Sequence, residues 1–155
     1  MYMDMLILFC AVILIFVAAI FAAHRVITRH EKKHHVRHII MLSLIPFVSW
    51  HAATLIKNAL MLPRPDLTKA LFLPQDINSY GFPSGHAAFM FALAATMYSF
   101  DKKAGMVLFA LAVLTGIGRA LAGVHYWYDI VGGAVLGFII ASFVVRVCKR
   151  VIRHW

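Results

Sequence analysis

Carboxylates are scarce in this sequence: six Asp and Glu stand against fifteen Lys and Arg. Around the most polar stretches, the long connection after Leu62 offers only Asp66 and Asp76 in addition to Asp129. A two-metal hydrolytic centre needs a richer supply of oxygen ligands, so neither a metal nor another cofactor is expected. Cysteine is limited to Cys10, inside the first apolar run, and Cys148, in the basic tail. A disulfide needs Cα atoms within about 7 Å, and topology puts these two far apart. Both read as packing residues at membrane level, with acylation of Cys148 the alternative. No Lys or Arg precedes the first apolar run, which starts Met-Tyr-Met-Asp4. A secretory signal peptide needs a positive start, so this run reads as a retained transmembrane helix.

What the chain has in quantity is apolar sequence. Hydrophobic residues make up 63% of its 155 residues, and mean hydropathy is +0.84, where a soluble domain is about half apolar. The expected fold class is all-α: a polytopic transmembrane helical bundle of about five spans in one integral membrane domain, 1–155, with a motif-bearing core over 57–147. The spans are read as Met5–Ala23, Ile39–Leu62, Ser84–Phe100, Ala104–Ala122 and Asp129–Val147. Pro46 is expected to kink the second, its freed carbonyl satisfied by neighbouring helices. A net charge of +9 first suggests nucleic acid. The basic residues lie in connections between apolar runs, however, which is the pattern of topology control and anionic headgroups. Membrane lipids, not nucleic acid, are therefore the expected partners.

Orientation follows from the same charges. Arg25, Arg29, Lys32, Lys33 and Arg37 fill the first connection, Lys102 and Lys103 the third, and Arg146, Lys149, Arg150 and Arg153 the tail. The other side carries Lys69, Lys57, Arg64 and Arg119. The bias predicts an outer N-terminus and a cytoplasmic C-terminus. In the first connection His24, His30, His34, His35 and His38 cluster, and His34 and His38 share a helical turn. Without accompanying carboxylates or thiolates they read as a basic headgroup-facing loop rather than a metal site. The connection Pro63–Pro83 is long enough for a binding loop, and its patch Leu71-Phe72-Leu73 could rest on the bilayer or simply pack. Gly132, Gly133 and Gly137 permit close helix approach. That approach serves packing within the bundle or a homo-oligomer contact.

Three polar clusters interrupt the apolar runs, and alternation of the spans brings all three to one membrane face. Ionisable groups at membrane depth are costly and point to function. Lys57, Arg64 and Arg119 are three cations with few acids nearby. Snorkelling to headgroups would explain any one of them; converging, they suit a phosphate, which arginine grips with its planar fork and lysine as a point charge. Pro83-Ser84-Gly85-His86 opens a helix whose first N–H groups have no intrahelical partner and can face an anion. An N-cap role explains Ser84 but not His86. His125 and Asp129 are one helical turn apart, as a structural pair or a catalytic one. In the catalytic case the carboxylate fixes the tautomer and leaves the other imidazole nitrogen free to attack.

Read together as Lys-x6-Arg-Pro, Pro-Ser-Gly-His and Arg-x5-His-x3-Asp, the clusters resemble the type 2 phosphatidic acid phosphatase (PAP2) superfamily from Lys57 to Asp129. The resemblance implies a helical core like that of the membrane phosphatases and haloperoxidases, with His125 as nucleophile forming a phosphohistidine. It makes Asp129 its orienting group and His86 the acid that protonates the leaving oxygen. Lys57, Arg64, Ser84, Gly85 and Arg119 would hold the phosphoryl oxygens. Two departures stand out. The family's third motif usually begins Ser-Arg, whereas Gly118 precedes Arg119 here, so a hydroxyl contact is missing and the Gly118 backbone N–H is its expected substitute. Membrane members commonly have six spans; the missing one is expected to be N-terminal and peripheral to the site.

The resemblance implies metal-independent hydrolysis of a lipid phosphate or diphosphate at the outer leaflet of a bacterial cytoplasmic membrane. The small chain is similar to the enzymes that recycle undecaprenyl diphosphate in cell-wall synthesis. Phosphatidylglycerophosphate, phosphatidic acid and lipid A 1-phosphate are the rival substrates. A vanadium haloperoxidase shares the motifs but is large and soluble, and a non-catalytic lipid-binding membrane protein is the remaining alternative.

Overall fold

The computed structural model describes residues 2–28, 35–71 and 80–151. Five helices carry the chain: α1 (Tyr2–Ile27), α2 (His35–Leu60), α3 (Gly85–Tyr98), α4 (Lys102–Leu121) and α5 (Trp127–Val151). A short 3-10 turn, Leu67–Lys69, lies in the connection after α2. His30, His34, Phe72, Leu73, Asp76 and Arg153, named above, lie outside the described residues, as do Arg29, Lys32 and Lys33.

Four helices (α1, α2, α4 and α5) are long and apolar enough to cross a membrane. The third expected span is different. α3 has only 14 residues, about 21 Å at 1.5 Å per residue, against a hydrocarbon core of about 30 Å. It is the helix wrapped by the others, with Ala87, Ala88, Met90, Ala92, Leu93, Ala94, Thr96 and Met97 all buried. Small side chains let its neighbours close in on every side, so its environment is protein rather than lipid. The outer helices instead expose Phe16, Ile20, Leu44, Phe47, Val131, Ile139 and Phe143, a surface that only a bilayer would cover.

α5 lies along α3 through its glycines. A Cβ on Gly133 would strike the Ser84 carbonyl, and one on Gly137 the Ala88 carbonyl. This fits the packing use of the small residues. α2 runs on through Pro46, which is fully buried. The main core joins α1, α2, α3 and α4 through Ala18, Ala22, Val26, Leu42, Met90, Leu93, Met97 and Leu108. α1 departs from regular geometry once, in a π-helical segment at Phe9–Ile13.

The connections after α1 and α3 meet at one end of the bundle. There Arg25 Nη2 bonds Asp101 Oδ2 at 2.6 Å, Lys149 Nζ donates to the Ser99 carbonyl, and His38 stacks on Phe100 with centroids 4.0 Å apart. His38 is therefore a packed ring here. All three polar clusters lie at the other end. Cys10 and Cys148 are both free thiols.

Candidate active site

The site begins where α4 stops. Gly123 adopts φ +76°, its N–H donates to the Ala120 carbonyl, and Val124 N–H donates to that of Arg119. Left-handed geometry favours glycine at such a helix end. The reversal carries His125 back over the helix end immediately before α5 starts at Trp127.

His125 is 3% exposed and Asp129 wholly buried. Their side chains meet through His125 Nδ1 and Asp129 Oδ2 at 3.2 Å, and the same oxygen accepts the Tyr126 N–H at 2.9 Å. With a carboxylate on Nδ1, that nitrogen carries the proton and Nε2 keeps its lone pair. Nε2 lies 3.4 Å from Arg64 Nη1. Arg64 Nη1 also donates to the Val124 carbonyl at 2.8 Å, next to the nucleophile candidate. Burial pulls His125 down to about 4; Arg119 and Arg64 push the same way, and the Asp129 hydrogen bond and charge offset this only partly. The ring is thus neutral near pH 7. Asp129 Oδ1 is buried and has no hydrogen-bond partner among the described residues.

α3 aims its N-terminus at this pair. Ser84 N–H donates to the Asp129 carbonyl at 2.9 Å, stitching the start of α3 to α5. The Ser84 hydroxyl accepts from Ala87 N–H at 3.5 Å, a cap contact, and its own proton remains for another acceptor. His86, one residue into the helix, lies within electrostatic reach of Arg119, His125, Lys57 and Arg64. The structure therefore brings His86, His125, Asp129, Lys57, Arg64, Ser84, Gly85 and Arg119 to one end of the bundle. The connection after α2 closes beside them, through Gly81 N–H to the Leu62 carbonyl and Leu71 N–H to that of Ala122.

One reading gains a second reason and another changes. Gly85, expected among the residues that hold the phosphoryl oxygens, also makes room for Trp50, whose indole Cδ1 would sit 2.5 Å from a Cβ there. Trp50 stands seven residues before Lys57, two turns along the same helix face, and that spacing was the available signal for it. Gly118 was expected to lend its N–H in place of a hydroxyl. It lies inside α4, where N–H groups belong to the helix ladder, and its Cα faces α1: a Cβ would meet Ala11 N and Cys10 Cβ at 2.7 Å. No hydroxyl fits there without moving α1.

Residues 36–153 match the PAP2 superfamily. The chain belongs to that superfamily. Among PAP2-like relatives, a stretch of 63 residues is 41% identical to the Bacillus licheniformis protein named bacitracin transport permease protein BcrC, covering 41% of this chain and 31% of that one. Another, of 77 residues, is 31% identical to Arabidopsis thaliana lipid phosphate phosphatase 2, covering 40% of this chain and 27% of that one. Each aligned stretch thus spans less than a third of the relative. The PAP2 fold extends over the whole bundle. A transmembrane PAP2-type phosphatidylglycerolphosphate phosphatase from Bacillus subtilis superposes with TM-score 0.67 at 19% identity, over 99% of this chain and 78% of the other. Aquifex aeolicus LpxE gives 0.64 at 23%, over 94% and 86%. With its apolar helices, this makes the chain an integral membrane PAP2 protein.

Proposed function

We propose that this protein hydrolyses a lipid phosphate or diphosphate through a phosphohistidine on His125. The observation that carries the reading is the placement of His125: Nδ1 held by Asp129, Nε2 beside the Arg64 guanidinium, and the ring neutral. Nε2 attacks phosphorus, the bond to the lipid oxygen breaks, and His86, which keeps its proton against burial and the surrounding cations through the negative charge of the bound phosphate, gives that oxygen its proton. Water then attacks the phosphorus–nitrogen bond, His86 takes the water proton, and inorganic phosphate leaves. Lys57, Arg64 and Arg119, with Ser84 and the α3 N-terminus, neutralise the equatorial oxygens, which is most of what a protein must do in phosphoryl transfer.

No group of three or more His, Cys, Asp or Glu side chains converges among the described residues; cations and amide groups are the available means of charge stabilisation, and the proposed hydrolysis is metal-independent. The basic connections, gathered at the end away from the site, support an outward-facing site by the positive-inside rule. Undecaprenyl diphosphate is the favoured substrate, with phosphatidylglycerophosphate, phosphatidic acid and lipid A 1-phosphate as the alternatives.

The test is phosphate release from these four lipids by purified protein in detergent with chelator present, beside His125→Ala. The wild type should release phosphate from at least one lipid, and loss of the nucleophile should lower turnover by about 10⁴-fold or more without changing the helical circular dichroism. Equal turnover by the two proteins, or none from any lipid by the wild type, ends the proposal.

A further inference from the structure

The first helix lies wholly before the matched residues 36–153, and by position it would be periphery. Its contacts say otherwise. After its first two turns, α1 changes to π-helical pairing over Phe9–Ile13, where Leu14 N–H reaches back to the Phe9 carbonyl. Such a segment accommodates an extra residue and is rare outside places where the backbone is needed in an unusual position. Ala11, at its centre, is fully buried. Its carbonyl accepts a hydrogen bond from Arg119 Nη1 at 3.3 Å. Its N–H side lies so close to α4 that residue 118 has no room for a Cβ. Ala11 also packs with Ala122 and Val124, which flank the turn leading to His125, together with Ile7, Leu67 and Ala70. One backbone segment thus touches a phosphate-binding arginine, the glycine before it, and the turn that presents the nucleophile.

We propose that the π-helical segment of α1 is a positioning element of the phosphate site, in which the Ala11 carbonyl sets the Arg119 guanidinium and the Ala11 surface backs the His125 turn. The inference rests on the phosphatase reading given above. It also gives the glycine before Arg119 a reason: residue 118 has lost its side chain to admit α1, and the carbonyl of α1 does the orienting. A guanidinium held this way loses little freedom when the transition state forms, and so binds it better than it binds the ground state.

The test compares two obstructed glycines of α4, of which Gly105 has the tighter surroundings. A Cβ at Gly118 collides with Ala11 and Cys10; one at Gly105, at the opposite end of the helix, collides with the backbone of Tyr98. Gly118→Ala, Gly118→Ser and Gly105→Ala are assayed on the lipid that the wild type hydrolyses, with turnover expressed per folded molecule, and each is titrated with orthovanadate as a transition-state-like anion. Deletion of Phe9, which removes the extra residue of the π-helical segment, is the fourth variant; Tyr2–Leu8, which it rotates, buries no residue. Displacing a positioning group by about 1 Å can cost about 10²-fold. Gly118→Ala and the Phe9 deletion should lose turnover on that scale and weaken vanadate inhibition about as much, with KM changed by less than about threefold. Gly118→Ser, although it restores the family's usual residue, should lose rather than gain. Gly105→Ala should lower thermal stability and leave both constants near wild type. If Gly118→Ala and the Phe9 deletion keep wild-type turnover and vanadate affinity, or if Gly105→Ala loses them equally, the positioning role is overturned and the hydrolytic reading stands. If the wild type neither hydrolyses any lipid nor binds vanadate, both fall together.

Discussion

The two ends of the bundle handle charge in opposite ways. At the end where the first and third connections meet, Arg25 lies against Asp101, the same carboxylate caps α4 through Ala104 N–H, and Lys149 bonds a backbone carbonyl. Arg25 and Lys149 are thus each answered by a group within the chain. At the other end Arg119, His125, Lys57 and Arg64 lie within electrostatic reach of His86, and Asp129 Oδ2 is taken by His125 and the Tyr126 N–H. The other described acid nearby, Asp66, turns to Thr68 and Lys69. This end carries excess positive charge in buried or half-buried positions, where a charge costs several kcal/mol unless compensated. On the function proposed above, an anion supplied from outside adds to that compensation, and this end serves a ligand where the other serves stability.

The sharpest way to break that comparison is Asp129→Asn. The amide keeps the shape but can present an N–H towards His125 Nδ1, which favours the wrong tautomer. In a comparable histidine–carboxylate pair this costs about 10⁴-fold, and turnover here should fall on that scale with the fold intact; loss of less than about tenfold would mean the pair is structural. Arg64→Ala comes next. It removes the donor at 3.4 Å from His125 Nε2 and the tether to the Val124 carbonyl. Loss of one transition-state donor costs about 2.7–4 kcal/mol, so kcat should drop by about 10²–10³-fold, and vanadate inhibition should weaken with it. Vanadate affinity unchanged in Arg64→Ala would remove the anion from the account of this end.

What could be read from the sequence, and what could not, divides along a physical line. Residue types that chemistry restricts were legible: His125 with Asp129 one turn on, Arg64 after the second span, Ser84-Gly85-His86 at a helix start. Hydropathy likewise found the helices, since lipid selects apolar side chains over a fixed length. It did not show that α3 is wrapped by the other helices, because an apolar run records only that water is excluded, not whether lipid or protein excludes it. The alanines at 87, 88, 92 and 94 were the hint of a protein environment. Least legible were the contacts made by backbone. The Val124 and Ala11 carbonyls hold Arg64 and Arg119, and a carbonyl has no signature in the residue that bears it. The same is true of the π-helical segment. Gly118 was visible as a departure, and only the closeness of α1 explains it.

Acid sharpens the comparison at smaller scale. His125, held down to about 4 by burial, stays neutral as pH falls below 6.5 while the same residue in the unfolded chain takes a proton. Stability contributed at the site end is therefore present above about pH 6.5 and is lost as pH falls towards 4. The acid limb of kcat/KM in the free enzyme should likewise fall with an apparent pKa near 4, since a protonated imidazole cannot attack. An acid limb centred above 6 would mean that water reaches the ring and that the cations around it are solvated.

The smallest effect belongs to the far end. Arg25 is 42% exposed and Asp101 10%, so water and salt screen the pair, and such pairs are worth about 1 kcal/mol or less. Arg25→Ala should lower the midpoint of thermal unfolding slightly and leave kcat and KM within about twofold. Asp101→Ala removes the cap on Ala104 as well, which adds about 1 kcal/mol, and should unfold at a lower temperature than Arg25→Ala. Neither residue approaches the other end, where Lys57, Arg64 and Arg119 lie within electrostatic reach of His86. A severalfold fall in kcat from Arg25→Ala, measured where the protein is fully folded, would mean that the ion pair sets the tilt of α1 against α4 and so reaches Arg119 through Ala11. The two ends would then be one machine joined by the first helix rather than a stable base and a separate site.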